Sequence, residues 1–207
     1  MFKLYHHTGT GGAAVAAALT LAGQPFETVT VDTKTDEQFS DAYRKINPWC
    51  QVPALILPDG TLMTETSAML IHIADTNPGK DLGPAPGTSG HAQLMRWMVF
   101  MAINLYEADL HYYYPARYTT DTTPSAVESV KAAGQDHMER AFGVLEDRLA
   151  ANGPHVLGRD PSVADIYLAM LYEWYPGDRA YPHIAALRDS VAAQAAIETI
   201  WRENFAG

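Results

Sequence analysis

The chain has 207 residues, 47% of them hydrophobic and 18% charged, enough for one large or two small cores, which excludes disordered, collagen-like and coiled-coil classes. No apolar run approaches the roughly 20 residues of a membrane helix, and Phe2-Lys3-Leu4-Tyr5 reads as the start of structure rather than a secretory signal, so a soluble cytoplasmic protein is expected. Fourteen basic against 24 acidic residues give a net charge of −10, which repels phosphate backbones and anionic lipid and makes nucleic acid and membrane surfaces poor partners. The single cysteine, Cys50, rules out an intrachain disulfide or a cysteine-rich metal site.

Residues 2 to 7 form a short strand-like run, and the alanine-rich stretch Gly12 to Ala22 is helical by propensity, with Gly23 placed to end it. Phe26 to Val31 alternates apolar and polar residues as a strand does. A weaker helical segment from Glu37 to Lys45 leads to Asn47-Pro48. Ala54-Leu55-Ile56-Leu57 and Thr61-Leu62-Met63 flank Pro58-Asp59-Gly60, a hairpin turn, and Glu65 to Asp75 reads as a helix. The order is therefore β-α-β-α-β-β-α.

Residues 76 to 90 contain four glycines and three prolines, the composition of a linker. A first α/β domain over 1–80, a linker over 81–90 and a second domain over 91–207 follow. Beyond the linker the patterns are helical: Ala92 to Leu110, Pro124 to Ala150, Val163 to Trp174 and Pro182 to Trp201, the last broken near Ala192.

The turn Gly9-Thr10-Gly11-Gly12-Ala13-Ala14 fits G-x-G-x-x-[GA] between a strand and a helix, with Asp32 at the end of the second strand, as in a dinucleotide site. The remaining chain offers no strands for a doubly wound sheet, which weighs against a nicotinamide cofactor. Another reading starts from Gln51-Val52-Pro53-Ala54-Leu55. A proline entering a strand cannot donate to the ladder, and a cis bond there turns both polar groups of the preceding residue toward whatever lies beside the sheet. Glu65-Thr66-Ser67 at a helix start adds an acid, two hydroxyls and unpaired N–H groups, suited to an amino-acid end and a carboxylate.

Three segments carry a family resemblance. Asn47-Pro48-Trp49-Cys50-Gln51-Val52-Pro53-Ala54-Leu55 resembles the N-P-x-G-x-V-P-x-L of the cytosolic glutathione transferase superfamily, and Glu65-Thr66-Ser67-Ala68-Met69 resembles its E-S-x-A-I. Gly158-Arg159-Asp160-Pro161-Ser162-Val163-Ala164-Asp165-Ile166 is similar to its G-x-x-x-S/T-x-A-D-I capping segment. The resemblance covers essentially the whole chain. It implies an α/β thioredoxin-like N-terminal domain, an all-α C-terminal helical domain, a homodimer, and a site at the domain cleft using glutathione as co-substrate, with no metal.

Carried over residue by residue, the resemblance makes Val52 and Pro53 the backbone clamp on the cysteinyl part of glutathione. Glu65 and Thr66 meet its γ-glutamyl end, and Gln51 follows the position that meets its glycyl end. Ser162 and Asp165 form a structural capping box. Gly11 and Gly12 stand where many bacterial members carry Cys and Ser. Of the remaining hydroxyls, Tyr5, Thr8 and Thr10, the expected thiolate-stabilising group is Thr10, helped by the amides of Gly11 and Gly12. Lowering a thiol pKa from about 8.5 by about two units takes roughly 2.7 kcal/mol, within reach of one charge-assisted hydrogen bond and a helix N-terminus.

By family position Tyr106 and Tyr113 are the candidates for an apolar second-substrate pocket. Arg96 and Arg117 serve either an anionic acceptor or surface carboxylates. Cys50, in the family's glycine position, is expected to be unreactive, and His6 and His7 face opposite sides of a strand, so they cannot share a metal ion. The expected activity is a glutathione transferase adding the thiolate to an apolar electrophile. The alternatives are a glutathione-dependent disulfide reductase or ether-cleaving lyase on the same scaffold, and a non-catalytic protein that keeps the glutathione site.

Overall fold

The computed structural model describes residues 1–205. By packing, the chain divides into two units, one of Met1–Pro86 with the segment from Ser190 onward, the other Gly87–Asp189.

The first unit is built on a four-stranded mixed sheet in the order β2-β1-β3-β4, with β1 at Phe2–His6, β2 at Phe26–Thr30, β3 at Ala54–Ile56 and β4 at Leu62–Met63. β1 pairs parallel with β2, Phe2 opposite Phe26, and antiparallel with β3, Tyr5 opposite Ala54. β3 and β4 form a hairpin, Leu55 opposite Met63, closed by the Leu57 N–H on the Thr61 carbonyl at 2.8 Å. This short, mixed sheet cannot carry a doubly wound dinucleotide fold. Asp32 instead caps its own turn, accepting from the Lys34 N–H at 3.0 Å.

Helix α1 (Gly12–Ala22) is buried almost all round, from Gly12 to Leu19, as an alanine-rich helix apolar on every face must be. Gly23 ends it in the left-handed region at φ 70°, where a Cβ would cost roughly 1–2 kcal/mol. The weak helical segment after β2 resolves into two single 3₁₀ turns, Thr33–Thr35 and Glu37–Phe39, and a one-turn α2 (Asp41–Arg44) capped by Ser40. Helix α3 (Thr66–Thr76) packs against α1, and their C-terminal ends are joined through the Gln24 amide donating to Asn77 at 2.6 Å.

The second unit is helical: α4 (Ser89–Met101), α5 (Glu107–Tyr113), α6 (Pro124–Asn152), α7 (Val163–Glu173) and the start of α8 (Pro182–Ala192). The pattern that reads as one helix from Ala92 to Leu110 is interrupted by a π turn at Ala102–Tyr106. The Asn104 side chain answers the widened turn by donating to the Phe100 carbonyl at 2.9 Å and hydrogen bonding His137 of α6 at 3.0 Å. α5 and α6 pack with their backbones nearly touching at Gly134, where a Cβ would lie 2.8 Å from the Ala108 carbonyl oxygen.

At the start of α7, the Ser162 N–H donates to the Asp165 carboxylate at 2.7 Å and the Ala164 N–H donates to Ser162 Oγ at 3.3 Å. Asp165 also accepts from the Val156 N–H at 2.8 Å, pinning the preceding loop to the helix. The helical run from Pro182 breaks after Ala192, and α9 (Glu198–Phe205) packs on α1 within the first unit. Among the described residues no helix is long and apolar enough to cross a membrane.

Candidate functional site

The sheet register assembles one end of the first unit. Continuing the β1–β3 pairing beyond Tyr5 and Ala54 sets His6 against Pro53. Beyond the last β3–β4 pair, Leu55 with Met63, the chain on one side leads to Val52–Pro53 and on the other to Glu65–Thr66, at the same end of the sheet. Residues distant in sequence are thus brought to one end of the sheet because two antiparallel registers share β3.

Val52–Pro53 is a cis peptide bond. Among the described residues, neither the Val52 N–H nor its C=O has a hydrogen-bond partner, so both groups are free to pair with an extended peptide. The loop that presents them is held from behind. Asn47 is buried; its amide donates to the Gln51 carbonyl at 2.8 Å and its side-chain oxygen accepts from the Trp49 N–H at 3.0 Å. The Tyr43 hydroxyl donates to the same Gln51 carbonyl at 2.8 Å. Burial pushes the Tyr43 pKa up to about 12, against the opposing hydrogen bond from Asn47, which keeps it a donor at any physiological pH. No sequence signal marks Tyr43, and Asn47 enters the sequence reading only as the first residue of the Asn47–Leu55 motif, with no role attached.

Cys50 has left-handed backbone, φ 58°, with its thiol buried 3.6 Å from the Pro48 carbonyl oxygen. A position that normally wants glycine carries a side chain here, packed inward. Gln51 has an exposed side chain, and its contribution to the loop is its carbonyl.

Glu65, immediately before α3, has φ 65° and ψ 105° and gives no side-chain cap, a conformation that costs a non-glycine residue of order 1–3 kcal/mol and marks ligand clamps. The first helix N–H with a protein partner is that of Met69, on the Glu65 carbonyl at 3.0 Å. The N–H groups of Thr66, Ser67 and Ala68 precede it, so α3 presents an uncapped positive end beside an exposed carboxylate and the buried Thr66. A zwitterionic amino-acid end matches this pairing, carboxylate to helix and ammonium to Glu65.

The Thr10 hydroxyl donates to the His7 carbonyl at 2.6 Å, so its one proton is committed to the turn. Gly11 precedes α1 without a side-chain cap. Gly9, φ 78°, is held by Asn204 of α9, whose side-chain oxygen accepts the Gly9 N–H at 3.0 Å. No sequence pattern linked Asn204 to Gly9.

Within the helical unit, Tyr106 and Tyr113 meet at Trp174. The Tyr106 ring is edge-on to Trp174 at 5.4 Å and stacked on Tyr167 at 6.4 Å, while the Tyr113 hydroxyl donates to the Trp174 carbonyl at 2.8 Å. Asp109 lies between the two tyrosines along the same helical face. It is buried, its Oδ1 has no partner, and desolvation pushes its pKa up to about 8. Arg96 and Arg117 each lie over a neighbouring ring, Trp97 and Tyr114, both at 4.1 Å. Among the described residues no cluster of three or more His, Cys, Asp or Glu could hold a metal ion.

Residues 13–76 match the family model "Glutathione S-transferase, N-terminal domain" and residues 128–203 match "Glutathione S-transferase, C-terminal domain". A solved glutathione transferase homolog from Sulfitobacter, with bound glutathione, is 34% identical, covers 99% of both chains and superposes with a TM-score of 0.88. The chain belongs to the glutathione transferase superfamily. Its relatives include the uncharacterized GST-like protein YncG of Escherichia coli K12, 29% identical over 99% of this chain and 98% of that one. Glutathione S-transferase GstA of Escherichia coli O157:H7 is 26% identical over 95% of each. The sheet order and the helical second unit are those of the glutathione transferase fold.

Proposed function

We propose that this protein is a glutathione transferase: it binds glutathione extended against Val52, just beyond the N-terminal end of β3, ionises its thiol and adds the thiolate to an apolar electrophile. The observation that carries this reading is the free backbone of Val52 at the same end of the sheet as the uncapped start of α3 at Glu65 and Thr66. Val52 pairs with the cysteinyl amide and carbonyl, Pro53 fixes the turn, Glu65 takes the γ-glutamyl ammonium, and Thr66 with the α3 amides takes its carboxylate. Gln51 reaches the glycyl end. The glutathione bound in the Sulfitobacter homologue supports the same ligand here.

Catalysis on this scaffold is positioning plus electrostatic stabilisation of a sulfur anion, with no covalent enzyme intermediate. Tyr106 and Tyr113, joined through Trp174, offer an aromatic wall for the apolar co-substrate. A homodimer would give the exposed Met95, Val99 and Ile103, spaced four residues apart along α4 and the π turn, a surface to pack against. A second reading, a protein that binds glutathione without reacting it, is favoured by one observation. Gly11 and Gly12 offer no side chain, and the Thr10 proton is already committed.

The test is an ultraviolet titration of bound glutathione in the intact protein and Thr10→Ala, beside turnover of a halonitroarene. Saturable binding with a thiol pKa about two units below the free value of about 8.5 is expected. Loss of the shift in Thr10→Ala credits its hydroxyl, and survival credits other groups at the α1 start. Binding with an ordinary thiol pKa and no turnover establishes the non-catalytic reading; no binding removes both.

A further inference from the structure

His6 closes β1 at the register position facing Pro53, one step from the free Val52 backbone. Its ring lies on the first residue of α1. A Cβ built on Gly12 would collide with the His6 Cβ and come within 2.7 Å of Cγ and 2.8 Å of Nδ1. The space at the α1 start therefore admits the imidazole or a side chain at position 12, and in this chain the imidazole has it. Nδ1 is fully buried without a hydrogen-bond partner, while the residue as a whole is part-exposed. A neutral histidine imidazole intrinsically favours the tautomer with its proton on Nε2, and an unpartnered Nδ1 leaves that preference in force.

We propose that His6 is a catalytic residue of the glutathione site, its Nε2–H donating a hydrogen bond to the glutathione sulfur and holding it as the thiolate. The proposal rests on the glutathione-binding reading above and supplies the donor that Gly11, Gly12 and the committed Thr10 hydroxyl lack. In the step, the S–H bond breaks, its electron pair stays on sulfur and the proton passes to solvent water; the imidazole stays neutral throughout. Burial holds the His6 pKa below its ordinary value, aided by the neighbouring charge of His7 and opposed by a backbone contact to that residue. A neutral donor is thus what the ring offers near pH 7. His7 is the titratable residue beside it in the chain; α1 carries none, and its β2 partner is Thr30.

The experiment separates binding from thiol activation in wild type, His6→Phe and His6→Gln. S-methylglutathione, which has no ionisable thiol, is titrated calorimetrically, and the thiol pKa of bound glutathione is read by ultraviolet difference absorbance. In His6→Phe the S-methylglutathione affinity is expected to change less than about threefold, while the bound thiol pKa rises by about one unit, a tenfold loss of thiolate below it. His6→Gln, which keeps an N–H donor, is expected to lie between. The packing claim is read separately: Gly12→Ser alone is destabilised, and H6A/G12S recovers the fold.

A bound-thiol pKa unchanged in both His6 variants overturns the proposal. So does a wild type that binds S-methylglutathione yet leaves the glutathione thiol at its ordinary pKa, which spares the binding reading. Failure of the wild type to bind S-methylglutathione removes both. Should His6→Phe not fold, His6→Gln, compared with wild type, carries the same readout.

Discussion

The Gly9 N–H and the Asn204 side-chain oxygen, 195 residues apart in sequence, meet at 3.0 Å. Asn204 is itself fixed, its amide donating to the Ile200 carbonyl one turn back in α9 at 2.8 Å. The last helix thus fastens the turn that delivers Thr10 and the start of α1. Asn204→Ala is expected to cost on the order of 1 kcal/mol and to loosen that turn selectively. Amide exchange at Gly9 should quicken by several-fold more than exchange in β3. Equal exchange at Gly9 in the variant and the wild type would remove Asn204 from this role.

The Val52 backbone owes its placement to two donors on the Gln51 carbonyl, and they are not equivalent. Tyr43→Phe removes one hydrogen bond and leaves the Asn47 amide in place, so a loss of about 1 kcal/mol is expected. Asn47→Ala removes the bonds to Gln51 and Trp49 together at a buried position, for roughly 2–3 kcal/mol. Because the loop then moves, glutathione affinity should fall about tenfold in Asn47→Ala and less than threefold in Tyr43→Phe. Denaturant melts and calorimetric titration check both. Undiminished binding in Asn47→Ala would show that the clamp holds without it.

Asp109 gives the protein a predictable pH dependence. Its folded-state pKa, raised to about 8 by burial, lies well above the ordinary value of about 3.9. Between those values the folded chain holds a proton that the unfolded chain has released. Stability therefore falls as pH rises through that window. Asp109→Asn keeps the shape without the titration, so it should match wild type near pH 4 and exceed it by up to a few kcal/mol near pH 8. Burial also raises the pKa of Asp165, outweighing its backbone hydrogen bonds and the charge of His155. Some slope of the same sign therefore persists in the variant. Urea melts at several pH values measure the difference, and parallel curves for the two proteins would contradict the assignment.

The strands, the hairpin and the break after Ala192 were readable because each rests on local signals, period-two alternation, Pro58-Asp59-Gly60 and capping composition. The π turn at Ala102–Tyr106 was not, since a one-residue widening leaves the helical apolar pattern nearly intact and is stabilised by His137 from another helix. The part of the candidate site proposed to meet glutathione, Val52 and the Glu65-Thr66 pair, lay within contiguous motifs. What supports it did not. Tyr43 and Asn204 act through contacts that only the folded chain creates, and His6 gains its place only because Gly12 lacks a side chain. Asp109 gave no signal because burial, not residue type, sets its behaviour.

Cys50 tests the backbone of the 47–53 loop. At φ 58° a β-carbon is disfavoured by roughly 1–2 kcal/mol, and this one is tolerated because the side chain is small and buried. Cys50→Gly relieves the backbone and loses the buried thiol, so stability should change by less than about 1 kcal/mol. Cys50→Val places a β-branched residue in the same conformation and should cost about 2–3 kcal/mol, with a matching loss of glutathione affinity as the loop shifts. Burial also makes the wild-type thiol slow: its labelling by a disulfide reagent should run at least about a hundredfold slower in the folded protein than in denaturant. Rapid labelling of the folded protein, or a Cys50→Val variant as stable as wild type, would mean that this loop is not held in the left-handed conformation.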